Sequence, residues 1–177
     1  MKVLTIVSNG YEDLECIGTV ALCRRAGITV DIYVLDANEV TGKYDLTITG
    51  LQDLAQANMQ DYDALFIPGG PHYEMIENSE QVRKIITYFM ESSKVVAAIC
   101  AAPTILGHMG YLKDKHYTCY TEMNEDFGGT FHDTHCVVDG NLVTGRAAAG
   151  TIDFAFALIE VLGGKALADS IKEEVYY

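Results

Sequence analysis

A chain of 177 residues, 49% apolar and 21% charged, has the composition of an ordinary soluble globule and enough length to bury a core without disulfide or metal staples. Its formal net charge of −13 argues against nucleic acid and anionic membrane as partners, and no apolar run reaches the roughly 18 residues that span a bilayer. The five cysteines (Cys16, Cys23, Cys100, Cys119, Cys136) include no C-x-x-C pair, and Met1–Thr5 carries no export signal, so reduced thiols in the cytoplasm are expected.

Extended and helical patterns alternate along the whole chain. Lys2–Ser8 reads as a strand stopped by Asn9-Gly10, Glu12–Ala26 as a helix ended by Gly27, and Thr29–Leu35 as the next strand. Glu39–Thr49 predicts a small hairpin around Gly42-Lys43, and Ala64–Ile67 a strand broken by Pro68-Gly69-Gly70. From Asn78 to Ser92 the apolar stripe Val82, Ile85, Ile86, Phe89 predicts a helix, with Asn78 as its cap and Gln81 three residues on. Lys94–Ile99 has the unbroken apolarity of a central parallel strand, and a helix is expected to begin almost at once, at Ala101. Cys136–Asp139 and Leu142–Gly145 flank the hairpin dipeptide Gly140-Asn141, and helices over Thr151–Leu162 and Lys165–Glu173 complete the chain. Strands joined by crossover helices predict an α/β fold with a doubly wound, mostly parallel sheet, in one domain spanning residues 1–177.

Sites in such sheets lie outside the carboxyl ends of the strands. Three loops there carry chemistry: Asn9–Glu15, Pro68–His72 and Cys100–Thr104. Cys100 stands between a strand and a helix start, where free N–H groups and the helix dipole favour thiolate; a buried, inert cysteine ending a core strand is the competing reading. The Gly70 and Ala101 amides would form an oxyanion hole for a carbonyl attacked by Cys100. Glu15, if aimed at the same place, would be driven toward its protonated form by the thiolate and would donate to sulfur. His72 is the best placed of the five histidines to act as acid or base, against the plainer reading of a solvated loop residue. His132 and His135 have a spacing that suits a metal only on a helix, and that segment reads as loop. Cys16, Val20 and Cys23 read as helix packing, and Cys119 is the one candidate for a resolving thiol.

The segments Glu12-Asp13-Leu14-Glu15, Arg24-Arg25-Ala26-Gly27-Ile28, Pro68-Gly69-Gly70, Ala97-Ala98-Ile99-Cys100-Ala101-Ala102-Pro103 and Asp139-Gly140-Asn141-Leu142-Val143-Thr144 together resemble the ThiJ/PfpI superfamily. They lie nearest the branch of the parkinsonism-associated deglycase and its bacterial relatives. The resemblance implies a flavodoxin-like three-layer sandwich of the class I glutamine amidotransferase kind, assembled as a homodimer with Arg25 near its interface. It also implies Cys100 as the oxidisable nucleophile, Glu15 as its buried carboxyl partner, and Gly70 and Ala101 as the oxyanion-hole amides. The departures are specific. Ala101 stands where protease-labelled members carry histidine after the cysteine, Tyr120 stands at the deglycase branch's histidine position, and Ala147-Ala148-Ala149-Gly150 replaces Gly-Pro-Gly-Thr.

The expected function is a cytoplasmic, cysteine-dependent stress-response protein acting on small reactive carbonyls, of glyoxalase III or deglycase type, without metal or other cofactor. A non-enzymatic redox sensor or chaperone working through oxidation of Cys100 is the alternative, and an intracellular peptidase or amidase the third reading.

Overall fold

The computed structural model describes residues 1–35 and 38–177. In chain order its elements are β1 (Lys2–Val7), α1 (Asp13–Arg25), β2 (Thr29–Val34), β3 (Glu39–Thr41), β4 (Thr47–Thr49), β5 (Gln52–Asp53), β6 (Ala64–Ile67), α2 (Tyr73–Asn78) and α3 (Glu80–Glu91). There follow β7 (Val95–Ile99), α4 (Ala102–His108), β8 (His116–Tyr117), β9 (Thr130–Phe131), β10 (Cys136–Asp139), β11 (Leu142–Gly145), α5 (Thr151–Gly163) and α6 (Lys165–Glu174). A seven-stranded sheet runs in the order β10-β11-β7-β6-β1-β2-β5, with β10 antiparallel to β11 and every other pairing parallel.

Alternation along the strands divides the core in two. Leu4 and Ile6 of β1, Leu65 of β6 and Val96 of β7 meet Val82, Ile85, Ile86 and Phe89 of α3 and Ile105 of α4 on one face. Val3 and Val7, with Ala97 and Ile99 of β7, meet Cys16, Val20 and Cys23 of α1 and Phe154 and Leu158 of α5 on the other. The chain is therefore an α/β protein whose mostly parallel central sheet is covered by helices on both sides, as the alternation of patterns predicts.

The short strands β5, β8 and β9 are unexpected, and two helices differ from expectation. The stretch after Pro68-Gly69-Gly70 holds an extra helix, α2, and Asn78 is its last residue rather than a cap. Ser79, in extended conformation, separates the two helices, and its hydroxyl accepts the Val82 N–H to cap α3. The hairpins at Gly42-Lys43 and Gly140-Asn141 form with strands β3–β4 and β10–β11. The carboxyl ends of β1, β6 and β7 open onto the loops Asn9–Glu12, Pro68–His72 and Cys100–Ala101, which brings those segments to one edge of the sheet.

Candidate functional site

Cys100 follows the last residue of β7 and lies in the left-handed region, with φ +64°. A side chain there is strained by roughly 1–2 kcal/mol, and the surrounding backbone holds it in place. The Cys100 N–H donates to Gly145 O at 2.9 Å, and Cys100 O accepts the Tyr120 N–H at 2.8 Å. Both peptide groups of the residue are thus tied to other segments, and its half-buried sulfur turns into an open cleft of about 330 Å³. Gly70, Pro71, Tyr73, Glu74, Ala101, Tyr120, Met123 and Lys43 line the rest of it.

Glu15 lies in the first turn of α1 and is fully buried. One carboxyl oxygen accepts the Gly69 N–H at 2.9 Å, the other has no hydrogen-bond partner, and the carboxyl stands beside the Cys100 side chain. Glycine at 69 is what permits this approach. A Cβ there would stand 2.4 Å from that of Cys100 and 2.5 Å from the Glu15 carboxylate. Gly70 has φ +101°, and a Cβ on it would meet Glu12 N at 2.5 Å. The glycine pair therefore serves more than a tight turn: it permits the close approach of loop, thiol and carboxyl.

Burial, reinforced by the neighbouring Glu12 carboxylate, lifts Glu15 to about 7. Burial and the Glu15 charge push the Cys100 thiol up to about 12, against the pull of the Ala101 and Gly70 N–H groups on the sulfur. This corrects the expectation of a helix start that favours thiolate outright: α4 is only seven residues long, and two N–H groups do not offset burial beside a carboxyl. The two acids titrate as a pair. Below neutrality they hold two protons, and above it one proton remains with the pair, with thiolate and carboxylic acid as one of its two arrangements.

His72 has a different place from the one expected. Its ring is buried, Nδ1 accepts the Ser8 N–H at 3.2 Å, and Nε2 donates to Pro68 O at 2.8 Å. Burial lowers the ring to about 4, so it is neutral and fully engaged near pH 7, and it lines no part of the cleft. It staples the loop after β1 to the loop after β6 instead of serving as acid or base. Tyr120 forms a cleft wall, as its position suggests. His132 pairs with His116 (Nε2 to Nδ1, 2.7 Å) and His135 with Asp153 (2.9 Å), so the two do not converge. Cys16 and Cys119 are buried, are pushed up to about 12 by burial, and stand outside the cleft lining. Arg25 pairs with Glu174 at 2.6 Å.

Sequence reasoning missed Lys43, the cationic group on the cleft wall. Its loop is clasped by Asp13, whose carboxylate accepts the N–H groups of Tyr44 at 2.8 Å and Leu46 at 3.1 Å. Nothing local in Gly42-Lys43 reveals that clasp, because its acceptor lies about thirty residues upstream.

Residues 1–161 match the model of the DJ-1/PfpI family. The chain is a member of the DJ-1/PfpI family. Deglycase TK1284 of Thermococcus kodakarensis, a relative in sequence, is 32% identical over 149 residues, which is 82% of this chain and 90% of its own. Protein dj-1beta of Drosophila melanogaster is 32% identical over 167 residues, 92% of this chain and 89% of its own. The crystal structure of Drosophila melanogaster DJ-1beta superposes with a TM-score of 0.91 at 30% identity, covering 99% of this chain and 97% of that one. This DJ-1/PfpI likeness extends over both core layers and all three loops that meet at Cys100.

Proposed function

We propose that this chain disposes of small reactive carbonyls, in the manner of a glyoxalase III or deglycase, by capturing them covalently on Cys100. The observation that carries the reading is the buried Glu15 carboxyl, one oxygen of it without a hydrogen-bond partner, set beside Cys100 at the floor of an open cleft. The deglycase name of one relative, and membership of the DJ-1/PfpI family, support it.

With a dicarbonyl such as methylglyoxal the steps balance without an outside oxidant. Sulfur adds to the aldehyde carbon, and the carbonyl oxygen takes up negative charge beside the Gly70 and Ala101 N–H groups, then a proton. Glu15 as carboxylate removes the hydrogen on that carbon as a proton and returns it at the neighbouring carbon. The product is a thioester of a 2-hydroxy acid, which water cleaves to free the thiol. A carbinolamine adduct breaks its C–N bond reversibly to amine and free aldehyde, and addition of sulfur to that aldehyde would draw the equilibrium toward the unmodified amine.

Among the described residues no imidazole lines the cleft, since Tyr120 and Ala101 occupy the relevant positions and His72 is sealed behind the Pro68 carbonyl. Without an imidazole to protonate an amine leaving group, stable peptide bonds are poor substrates, which weakens the peptidase reading. The same lack favours, as second reading, oxidation of Cys100 by a peroxide to a sulfenic acid, which a thiol reduces again, or onward to the irreversible sulfinic acid, with Glu15 hydrogen-bonded to the product.

The test is turnover of methylglyoxal to lactate, with Cys100 adducts followed by peptide mass spectrometry. Cys100→Ser is expected to abolish both, and Glu15→Gln to keep the adduct while slowing turnover by roughly 10²-fold or more. Undiminished turnover in Cys100→Ser, or none in the wild type, overturns the carbonyl reading. Selective oxidation of Cys100 by mild peroxide would then uphold the redox one.

A further inference from the structure

The cleft has two side walls from different parts of the chain. One is the start of α2, with Tyr73 and Glu74; the other is the segment after β8, with Tyr120 and Met123. Between their far ends stands His108, the last residue of α4, the helix that Ala101 joins to Cys100. Its Nδ1 lies 2.5 Å from Glu77 Oε1, one turn along α2 from Tyr73 and Glu74. Its Nε2 lies 3.5 Å from Glu125 Oε2, two residues beyond Met123. Phe127 stacks edge-on to the ring at 5.4 Å and packs onto Gly107, where a Cβ would come within 2.4 Å of it.

We infer that His108 is a positioning residue of the Cys100 cleft, whose doubly protonated ring clamps Glu77 and Glu125 and so ties the two walls together, and which releases one wall when the ring loses a proton. The logic is geometric. Only an imidazolium has an N–H on both nitrogens; a neutral ring aimed at two carboxylates must present a lone pair to one of them. The inference rests on the cleft at Cys100 and not on the carbonyl reaction proposed for it.

The groups facing the ring agree with it. Glu77 from α2 and Glu125 from the loop are the charged groups that act on it, and the two carboxylates outweigh burial to raise its pKa above the ordinary value. The clamp is thus shut in mildly acidic conditions and loosens as pH rises through and beyond neutrality. Movement is confined to the outer walls. The root of the loop stays pinned by Tyr120 N–H on Cys100 O and by the Tyr117 hydroxyl on Asn124 at 2.7 Å.

The experiment measures how fast Cys100 reacts with 4,4′-dithiodipyridine, a disulfide usable from acid to alkaline pH, in wild type, His108→Gln and His108→Arg. Rates are compared between proteins at each pH, so that ionisation of the thiol itself cancels. Two half-exposed ion pairs should shift the opening equilibrium by roughly two- to fivefold. His108→Gln should therefore react that much faster than wild type at about pH 6 and equally at about pH 9. His108→Arg, a fork-shaped cation that does not titrate, should remain slow at both and fall below wild type at the upper one. Glu125→Gln, in an exposed loop, should reproduce the glutamine effect even where the His108 variants fold poorly. Equal rates for all four proteins at every pH overturn the inference. An absence of dicarbonyl turnover leaves the readout intact, because the disulfide probe needs only the thiol.

Discussion

At the scale of the residue, the site is a problem of space. Glu15, Gly69 and Cys100 occupy one volume, and the carboxyl reaches the thiol only because position 69 has no side chain. Gly69→Ala places a methyl group against the Cys100 side chain, the Glu15 carboxylate and, at 2.9 Å, Ile99 O. Strand and helix hold these atoms, so the expected loss is about 1–3 kcal/mol, read from urea denaturation. Cys100 should also show a changed pH profile of alkylation as the carboxyl is displaced. A substitution that leaves both unchanged would mean that the site is looser than the packing indicates. Cys100, Glu15, Gly70 and Ala101 were recoverable as a group from their motifs, but the balance of charge between them was not. It depends on burial, which opposes the helix-start effect that the local sequence suggests.

At the scale of the element, the chain was most legible where periodicity is strong. The apolar run of β7 and the stripe of α3 predict their own structures, and Gly140-Asn141 its hairpin. What failed is the boundary between α2 and α3. Asn78 and Ser79 are both good caps, and the choice depends on whether the preceding residues are already helical, which short Tyr73–Asn78 does not advertise. The structure assigns the cap to Ser79, so Ser79→Ala should lower stability by about 1 kcal/mol. Asn78→Ala, which removes only a bond from its side chain to Glu74 O, should change the thermal midpoint much less. The reverse order would restore the cap at Asn78. His72 was misjudged for a related reason, since a loop histidine looks solvated until the loop from β1 covers it.

At the scale of the whole molecule, Glu15 and His72 set opposing dependences of stability on pH. Glu15 has a folded pKa raised from 4.5 to about 7, so the folded state binds the extra proton and stability falls as pH rises through that window. The folded pKa of His72 is lowered from 6.5 to about 4, so the unfolded state binds the extra proton and stability is lost as pH falls through that window. Over the overlap the slopes cancel, each amounting to at most about 1.4 kcal/mol per pH unit. Glu15→Gln removes one of them. Its unfolding free energy should climb between about pH 4.5 and 6.5 while that of the wild type stays nearly level in the contribution of these two groups. Parallel curves for the two proteins would show that the Glu15 carboxyl is not buried as described.

The left-handed Cys100 bears on how such a chain can change over generations. Glycine or asparagine would relieve the backbone there, and either would leave the fold more comfortable without its thiol. Drift toward stability and retention of reactivity therefore pull position 100 in opposite directions. In a descendant released from the need for sulfur, this is the first residue of the site expected to be lost, while Gly69 and Gly70 would persist for packing alone.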